Sequence, residues 1–364
     1  MNITQKVILV AASVFLAGVS LSVAQESQPL KLIVQEDHIT VKGKDVPVMA
    51  IKQEDGQSGY SPQKADNFHV EVVNQLKVPT TILWHGLVLP NLMDGVPFVT
   101  QNPIPPGGKF DYQFPLKQSG TYWMHSHYGL QEQLLNSAPL VIWTPEEQAK
   151  ADVQYVVMLS DFSFTSPADI LKKLKTGMPK PKDAKKMPAA TPAAGMEMGP
   201  KETLYAQKWD PEAKRFTRAE AVGPVPDIDV HYDALLANRH TVDHPDTLAV
   251  KPGQTVLLRL IAASSATDFL VDTGGLDAEI LAVDGQPVEP LKGSYFQLAV
   301  AQRIDLRVTI PETGGAFPIL FQGEGTKLLA GVVLVTEGAT VPPMPSICQK
   351  PKPVAAWASS AARP

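Results

Sequence analysis

Hydrophobic positions in this chain recur mainly every second residue, a spacing that is typical of β-strands. Runs of β-branched and aromatic side chains alternate with turns that contain Gly and Pro. Because alternate side chains of a strand point to opposite faces, such runs predict strands with one buried face. The clearest runs are residues 68–73, 109–114, 120–125, 139–143, 255–261, 295–300 and 303–310. Their number and short length predict an all-β fold built of packed sandwiches.

The predicted strands fall into two groups that share a rough plan. Residues 105–108 (PPGG) form a strong turn signal immediately before one run. Residues 252–253 (PG) stand in the same position before another run in the second half of the chain. This similarity indicates a repeated sandwich. We expect a first domain at residues 25–148 and a second at residues 149–340.

Two segments depart from the strand pattern. Residues 172–202 are rich in Lys, Pro, Ala and Met and offer little to bury, so we expect a flexible insertion within the second domain. Residues 341–364 are rich in Pro and Ala, and we expect a disordered tail there.

The first 24 residues have the composition of an export signal. Lys6 supplies a positive charge, residues 7–23 are apolar, and small side chains lead up to Ala24. This arrangement predicts a Sec-type signal peptide, residues 1–24, rather than an uncleaved membrane anchor. We therefore expect a periplasmic protein with no stable membrane span after cleavage.

Charge and cysteine content narrow the function classes further. The 364 residues carry a formal net charge of −5 and no basic stripe, so nucleic acid is not an expected partner. Cys348 is the only cysteine in the sequence, so the fold has no internal disulfide to stabilise it.

Three histidines form the most informative chemical pattern. His85 follows a strand-like run, and His125 and His127 are separated by one residue at the end of another. Two imidazoles spaced in this way on a strand point to the same face, where they could hold one metal ion or two adjacent ions. Imidazole suits copper and zinc. A pair of exposed surface histidines is the alternative interpretation.

The surroundings of these histidines resemble a known family. Residues 80–143 contain, in order, WHG, MDGVP, QNPIPPGG, QSGTYWMHSH and GLQEQL. This stretch resembles the first cupredoxin domain of multicopper oxidases, especially the bacterial copper-resistance and laccase-like branch. Residues 227–310 resemble the second domain more weakly, through LLANR, VKPGQTVLLRLI and VDGQPVEP. The resemblance implies two cupredoxin-like Greek-key β-sandwich domains.

The resemblance also implies a partial copper site. His85, His125 and His127 match family ligands of a pair of coppers, whereas Leu83 stands where the family has the first histidine of H-x-H-G. Cys348 has no neighbouring histidine, so no segment of this sequence matches the family's thiolate-containing blue-copper site. We therefore expect a copper-binding protein that is not an autonomous oxidase and whose site another protein chain could complete.

Two other interpretations of the whole chain stay open. The protein could be a copper-free periplasmic scaffold, or the product of a truncated multicopper oxidase gene.

The methionines of the predicted insertion could bind cuprous ion, because thioethers are soft ligands. They are Met178, Met187, Met196 and Met198. Incidental methionines in a flexible loop are the favoured interpretation of that segment.

Overall fold

Strands dominate the protein, as the hydrophobic pattern predicts. The computed structural model describes residues 28–64, 66–145, 153–177, 203–205, 208–210, 215–217, 221–224 and 230–347. The predicted signal peptide, Cys348 and the four methionines of the predicted insertion lie outside the described residues.

The N-terminal half forms a β-sandwich. Its strands are β1 (Leu30–Val41), β2 (Lys44–Gln53), β3 (Asn67–Asn74), β4 (Leu83–His85), β5 (Lys109–Pro115), β6 (Gly120–His125) and β7 (Ser137–Ile142). Short 3₁₀ helices occupy Asn91–Met93 and Glu132–Leu134. One sheet has the order β2-β1-β3-β5 and the other the order β4-β6-β7. Strands β1 and β3 run parallel, and the other neighbours run antiparallel.

An aromatic cluster fills the space between these two sheets. The ring of Phe68 stacks on Phe114 with centroids 4.6 Å apart and meets the edge of Trp84 at 4.7 Å. Trp84 also contacts Tyr112 edge-on at 5.0 Å. These side chains are almost fully buried, and burial of each stabilises the fold by roughly 1.5–3 kcal/mol. The cluster fixes Trp84, and with it the short strand that carries His85.

The C-terminal half forms a second sandwich. Its strands are β8 (Val153–Phe162), β13 (Ala234–Ala237), β14 (Asp246–Val250), β15 (Thr255–Ala262), β16 (Phe269–Asp272), β17 (Ala278–Val283), β18 (Gln286–Gly293), β19 (Tyr295–Leu298), β20 (Arg303–Thr309), β21 (Ala316–Gly323) and β22 (Leu329–Thr336). One sheet has the order β13-β8-β15-β20-β17-β18 and the other β14-β22-β21-β16-β19. Aliphatic side chains from both sheets form one buried core.

The repeated turn found in the sequence has the same role in both sandwiches. Gly108 donates to the Pro105 carbonyl at 2.9 Å before β5, and Gln254 donates to the Lys251 carbonyl at 3.1 Å before β15. Each turn contains a glycine with positive φ, Gly107 at 72° and Gly253 at 70°. Equivalent turn chemistry therefore starts a strand in each half.

The segment between β8 and β13 contains elements that the sequence pattern did not predict. Strands β9 (Thr203–Tyr205) and β12 (Ala221–Pro224) pair with each other, as do β10 (Lys208–Asp210) and β11 (Arg215–Thr217). A helix, α1, spans Pro167–Gly177. The expectation of a loop from residue 172 is therefore wrong for residues 172–177. Ser166 caps the helix: its hydroxyl accepts from the Asp169 backbone N–H at 3.2 Å and donates to the Asp169 carboxylate at 2.7 Å.

The start of the predicted tail lies against the second sandwich. Ile347 forms an isolated bridge with Leu328, and residues 348–364 lie outside the described part of the chain. Among the described residues, no helix has the length and apolar character needed to span a bilayer.

Buried side chains join the two sandwiches. Arg259 on β15 is 1% exposed. Its Nη1 donates to the Thr121 hydroxyl at 2.9 Å and to Asp305 Oδ2 at 2.8 Å. The Thr121 hydroxyl in turn donates to the other carboxylate oxygen of Asp305. The guanidinium carbon also lies 4.7 Å from the ring centroid of Trp143. These contacts tie β6 of the first sandwich to β15 and β20 of the second.

Candidate metal centre

Two paired strands position the first two candidate ligands. Strands β4 and β6 are antiparallel, with Leu83 opposite His125 and His85 opposite Trp123. Because alternate side chains share a face, these four side chains lie on the same face of the three-stranded sheet. His127 follows two residues after His125, beyond the end of β6. The structure thus brings all three predicted histidines to one region.

The imidazoles form a row rather than a single three-ligand cluster. Nδ1 of His85 lies 3.2 Å from Nε2 of His125. The ring centroids of His125 and His127 are 5.1 Å apart. Within the described residues, no group of three or more His, Cys, Asp or Glu side chains is arranged to hold one metal ion. The arrangement therefore offers one close imidazole pair, with a third imidazole beside it.

The geometry of the close pair fits two ligands of one ion. Imidazole nitrogens bind zinc at about 2.0–2.1 Å, so two of them on one tetrahedral ion lie roughly 3.3 Å apart. The separation of 3.2 Å between His85 Nδ1 and His125 Nε2 is close to this value. Imidazole is also a suitable donor for copper.

Glu132 approaches the ring nitrogen of His125 that points away from His85. Its Oε2 lies 3.0 Å from Nδ1. This contact is a close approach and not a hydrogen bond, and the buried nitrogen has no hydrogen-bond partner among the described residues. A carboxylate beside the second ring nitrogen is a common way to orient a metal-binding histidine.

Trp123 forms a wall behind the close pair. Its ring stacks on His125 with centroids 4.2 Å apart and on His85 at 5.0 Å. Trp123 is 1% exposed and also packs against Ile261 and Ala263 of the second sandwich. Trp123 is therefore both a core residue at the interface of the sandwiches and a contact of both histidines.

The turn after His85 receives support from the second sandwich. Gly86 has φ of +90°, and a Cβ at this position would lie 2.4 Å from Nη2 of Arg303. Arg303 donates from Nε to the Thr121 carbonyl at 3.2 Å. Gln118 donates to the Gly86 carbonyl at 3.0 Å. Sequence reasoning did not find Arg303, because its partners Gly86 and Thr121 are far from it along the chain.

The surroundings of two imidazoles favour their neutral form. Burial is the largest cause that lowers the pKa of His85 to about 4, and the nearby His125 and Arg303 contribute to the same shift. Burial and the neighbouring His125 also lower the pKa of His127. Neutral imidazole has a free electron pair on one ring nitrogen, which is the form that binds metal.

The segment that carries His125 and His127 is fixed by a buried amide. Gln131 Oε1 accepts hydrogen bonds from the hydroxyls of Thr80 and Ser126, both at 2.7 Å, and from the Asn136 amide at 3.2 Å. Its Nε2 donates to the Pro79 carbonyl at 2.8 Å. Gln131 therefore orders the backbone between the two histidines.

Comparison with known families identifies the chain. Two sequence profiles, both described as multicopper oxidase, match residues 33–147 and 154–339. The chain belongs to the multicopper oxidase family.

Relatives within this family include copper-resistance proteins. The chain is 34% identical to copper resistance protein A of Pseudomonas syringae pv. tomato, over 78% of this chain and 46% of that protein. It is 32% identical to multicopper oxidase MmcO of Mycobacterium tuberculosis, over 77% of this chain and 51% of that protein. The chain thus spans about half the length of the curated relatives it matches.

Solved structures of multicopper oxidases share the fold. Fet3p, a multicopper oxidase that functions in iron import, matches with a TM-score of 0.65 and 21% identity, over 88% of this chain and 54% of that one. A multicopper oxidase from Pseudomonas thermotolerans matches with a TM-score of 0.58 and 26% identity, over 90% of this chain and 68% of that one. These matches confirm the predicted all-β class with cupredoxin-like sandwiches, and copper is the metal of the family.

Proposed function

We propose that this multicopper oxidase relative binds copper through His85, His125 and His127 in a partial site. His85 and His125 would hold one ion and His127 a neighbouring one. The observation that carries the proposal is the 3.2 Å separation between Nδ1 of His85 and Nε2 of His125. Bound copper would supply reversible one-electron chemistry at this position.

The protein's own side chains prepare the site for that ion. Trp123 covers one side of both imidazoles and excludes water there. The Glu132 carboxylate faces Nδ1 of His125 and leaves Nε2 directed at His85. A fixed ring orientation lowers the entropy that binding must remove.

Copper content of the purified protein tests the proposal. We expect copper-loaded and desalted protein to retain copper, and His125→Ala and His127→Ala each to retain less. His244→Ala is the matched control, because the His244 side chain is 82% exposed and, among the described residues, forms an ion pair with the adjacent Asp243 alone. A wild-type protein that retains no copper would instead favour the copper-free scaffold, and equal copper in all four proteins would show that the three histidines are not the ligands.

We further propose an exported, periplasmic protein that takes part in copper handling. The apolar run at residues 7–23 and the names of the copper-resistance relatives support this proposal. Cell fractionation and N-terminal sequencing of the mature protein test it. A mature chain that starts near residue 25 and is released with the periplasm is the expected result, and an intact N-terminus in the cytoplasmic fraction contradicts it.

The residues of this chain do not supply complete oxidase chemistry on their own. Leu83 offers no ligand beside His125, and Cys348 has no neighbouring histidine in sequence. A blue-copper site needs a thiolate with two imidazoles. We expect no sustained oxygen uptake from the copper-loaded chain with a phenolic or cuprous substrate. Steady uptake that scales with protein concentration would overturn this expectation.

A second copy of this chain is the partner that we propose for the partial site. Exposed apolar side chains flank the histidines: Val88, Leu92, Phe98, Val99 and Leu130. We call the segments that follow His85 and His127 the flanking loops. Phe98 lies in the first and Tyr128 in the second, and their ring centroids are 6.5 Å apart. Asp94 is the only charged residue in residues 86–101. A nearly uncharged apolar face can meet its own copy without like-charge repulsion.

Light scattering of copper-loaded protein tests the self-association. We expect oligomers that Phe98→Asp converts to monomers, and Val288→Asp is the control because Val288 is exposed on β18, outside the flanking loops. A wild-type protein that stays monomeric when it is copper-loaded would rule out a second copy as the partner.

The division into domains at residues 25–148 and 149–340 stays a prediction.

A further inference from the structure

A cleft separates the two sandwiches on the side where β7 and β8 lie. Its volume is about 580 Å³. Alternate residues of β7 (Ser137, Pro139 and Val141) form one wall, and alternate residues of β8 (Val156, Met158 and Ser160) form the other. Because alternation places three side chains of each strand on the same face, both strands present a continuous wall to the cleft. We call this space the β7–β8 cleft.

The walls of the β7–β8 cleft combine apolar surface with hydroxyl groups. Val156 and Met158 provide apolar contact, and Tyr60 adds an aromatic side chain to the lining. The hydroxyls of Ser61, Ser137 and Ser160 also line the space and make no hydrogen bond to any described residue. They are therefore available to a ligand as both donors and acceptors.

The charge of the lining disfavours an ionic ligand. Within the described part of the chain, Arg239 is the only formally charged residue that lines the cleft. Its Nη1 donates to Asp37 at 3.1 Å, and its Nη2 donates to the Leu135 carbonyl at 2.9 Å and to the Met49 carbonyl. Among the described residues, no carboxylate lines the cleft to attract a cation. The terminal nitrogens of the Arg239 guanidinium already donate hydrogen bonds within the protein, so they are not free to bind an anion.

The base of the cleft is held rigidly. The Asn238 side chain accepts from the Met158 backbone N–H at 2.9 Å and donates to Asp246 Oδ2 at 3.0 Å. Asn238 and Arg239 both have positive φ, at 48° and 72°. The fixed turn joins β13 to the wall formed by β8, so the space between the sandwiches is largely preformed. Preformed clefts at domain interfaces are preferred positions for small-molecule sites.

We propose that the β7–β8 cleft binds a neutral, hydroxyl-rich small molecule, a short saccharide. A sugar ring has an apolar face of C–H groups that suits Val156, Met158 and Tyr60, and a rim of hydroxyls that suits the three serines. The volume corresponds to roughly 20 water molecules at about 30 Å³ each. That space accommodates a sugar of one or two rings. None of the lining residues is a proposed copper ligand, so this site stands independently of the copper proposal.

Ligand-observed NMR with maltose tests the proposal on the full chain. We expect saturation transfer from the wild-type protein to maltose at millimolar concentration. Ser160→Phe fills the cleft and should weaken maltose binding roughly tenfold or more. Val156→Trp is a second blocking variant, in case the first does not fold. Thr313→Phe is the matched control, because it places the same ring in an exposed loop.

Each outcome of this experiment decides the proposal. Loss of transfer in a folded blocking variant, with transfer retained in Thr313→Phe, supports it. No transfer to maltose from the wild-type protein overturns it. Transfer to phenol alone, or a thermal shift with inorganic phosphate alone, also overturns it, because each assigns a different ligand class. Transfer that is equal in the blocking and control variants shows that maltose does not bind in the cleft.

Discussion

At the scale of single residues, position 83 has the largest consequence for the candidate site. Leu83 lies directly opposite His125 in the β4–β6 pair and on the same face as His85. Its side chain is partly buried, so it occupies space beside the imidazole pair without offering an electron pair. Leucine thus replaces the histidine that the family has at this position. The site loses an imidazole ligand there, although strand β4 still places the residue beside His125.

We predict that Leu83→His restores a donor at this position. The variant should retain more copper than the wild-type protein, because the resemblance makes position 83 a ligand of a separate copper beside the ions held by the three histidines. A competition titration against a copper chelator measures this change. Leu83→Gln is the matched control, since it adds polarity without an imidazole. Equal gains in both variants would show that polarity, and not a new ligand, improves binding.

At the scale of elements, β6 and the segment after it hold two of the three histidines in place. Gln131 connects this segment to Thr80 and Pro79 on a separate stretch of the chain. Gln131 is 5% exposed, so the hydroxyl groups that donate hydrogen bonds to it have little access to water. The histidine spacing is in the sequence, but the side-chain positions depend on this buried network.

We predict that Gln131→Ala destabilises the protein by about 1–3 kcal/mol, because the buried hydroxyls of Thr80 and Ser126 lose their acceptor. Urea unfolding followed by tryptophan fluorescence measures the free energy. Gln113→Ala is the control, because Gln113 is exposed on β5. If both variants lose the same stability, the buried network has no special role.

At the scale of the whole molecule, the second sandwich supports the site that the first one carries. Arg259 and Arg303 both reach Thr121 on β6, one through its hydroxyl and the other through its carbonyl. Trp123, next along the same strand face as Thr121, packs against Ile261 and Ala263. The candidate metal centre is therefore built on an interface between two sandwiches.

We predict that Arg259→Leu lowers the free energy of unfolding by about 3–5 kcal/mol, because the buried charge of Asp305 then loses the Arg259 guanidinium. The double variant Arg259→Leu/Asp305→Leu should lose less, since neither charge remains. A double-mutant cycle by chemical denaturation measures both values. Lys31→Leu is the control, because the Lys31–Glu54 pair is exposed and contributes little. Additive losses at Arg259 and Asp305 would contradict a coupled buried pair.

The sequence predicted strands well where one short segment contains the complete alternating pattern of hydrophobic residues. The alternating pattern identified β3, β5, β6 and β15 to within a residue or two at each end. The helix α1 was missed, although Ser166 and Asp169 carry a recognisable capping signal before its apolar positions. The strong bias toward Lys and Pro in the following residues hid that signal.

By itself, the sequence determined the strand pattern, because side-chain alternation and turn chemistry act over a few residues. Its resemblance to multicopper oxidases implied the two cupredoxin-like sandwiches and the three candidate ligands. Only the tertiary structure decided that His85 and His125 are a close pair with His127 beside them, and that Trp123, Glu132 and Arg303 surround them. Those contacts join residues far apart in the chain, such as Arg303 and Thr121, which are 182 positions apart. They depend on how strands pair and how two sandwiches pack, which local patterns do not encode.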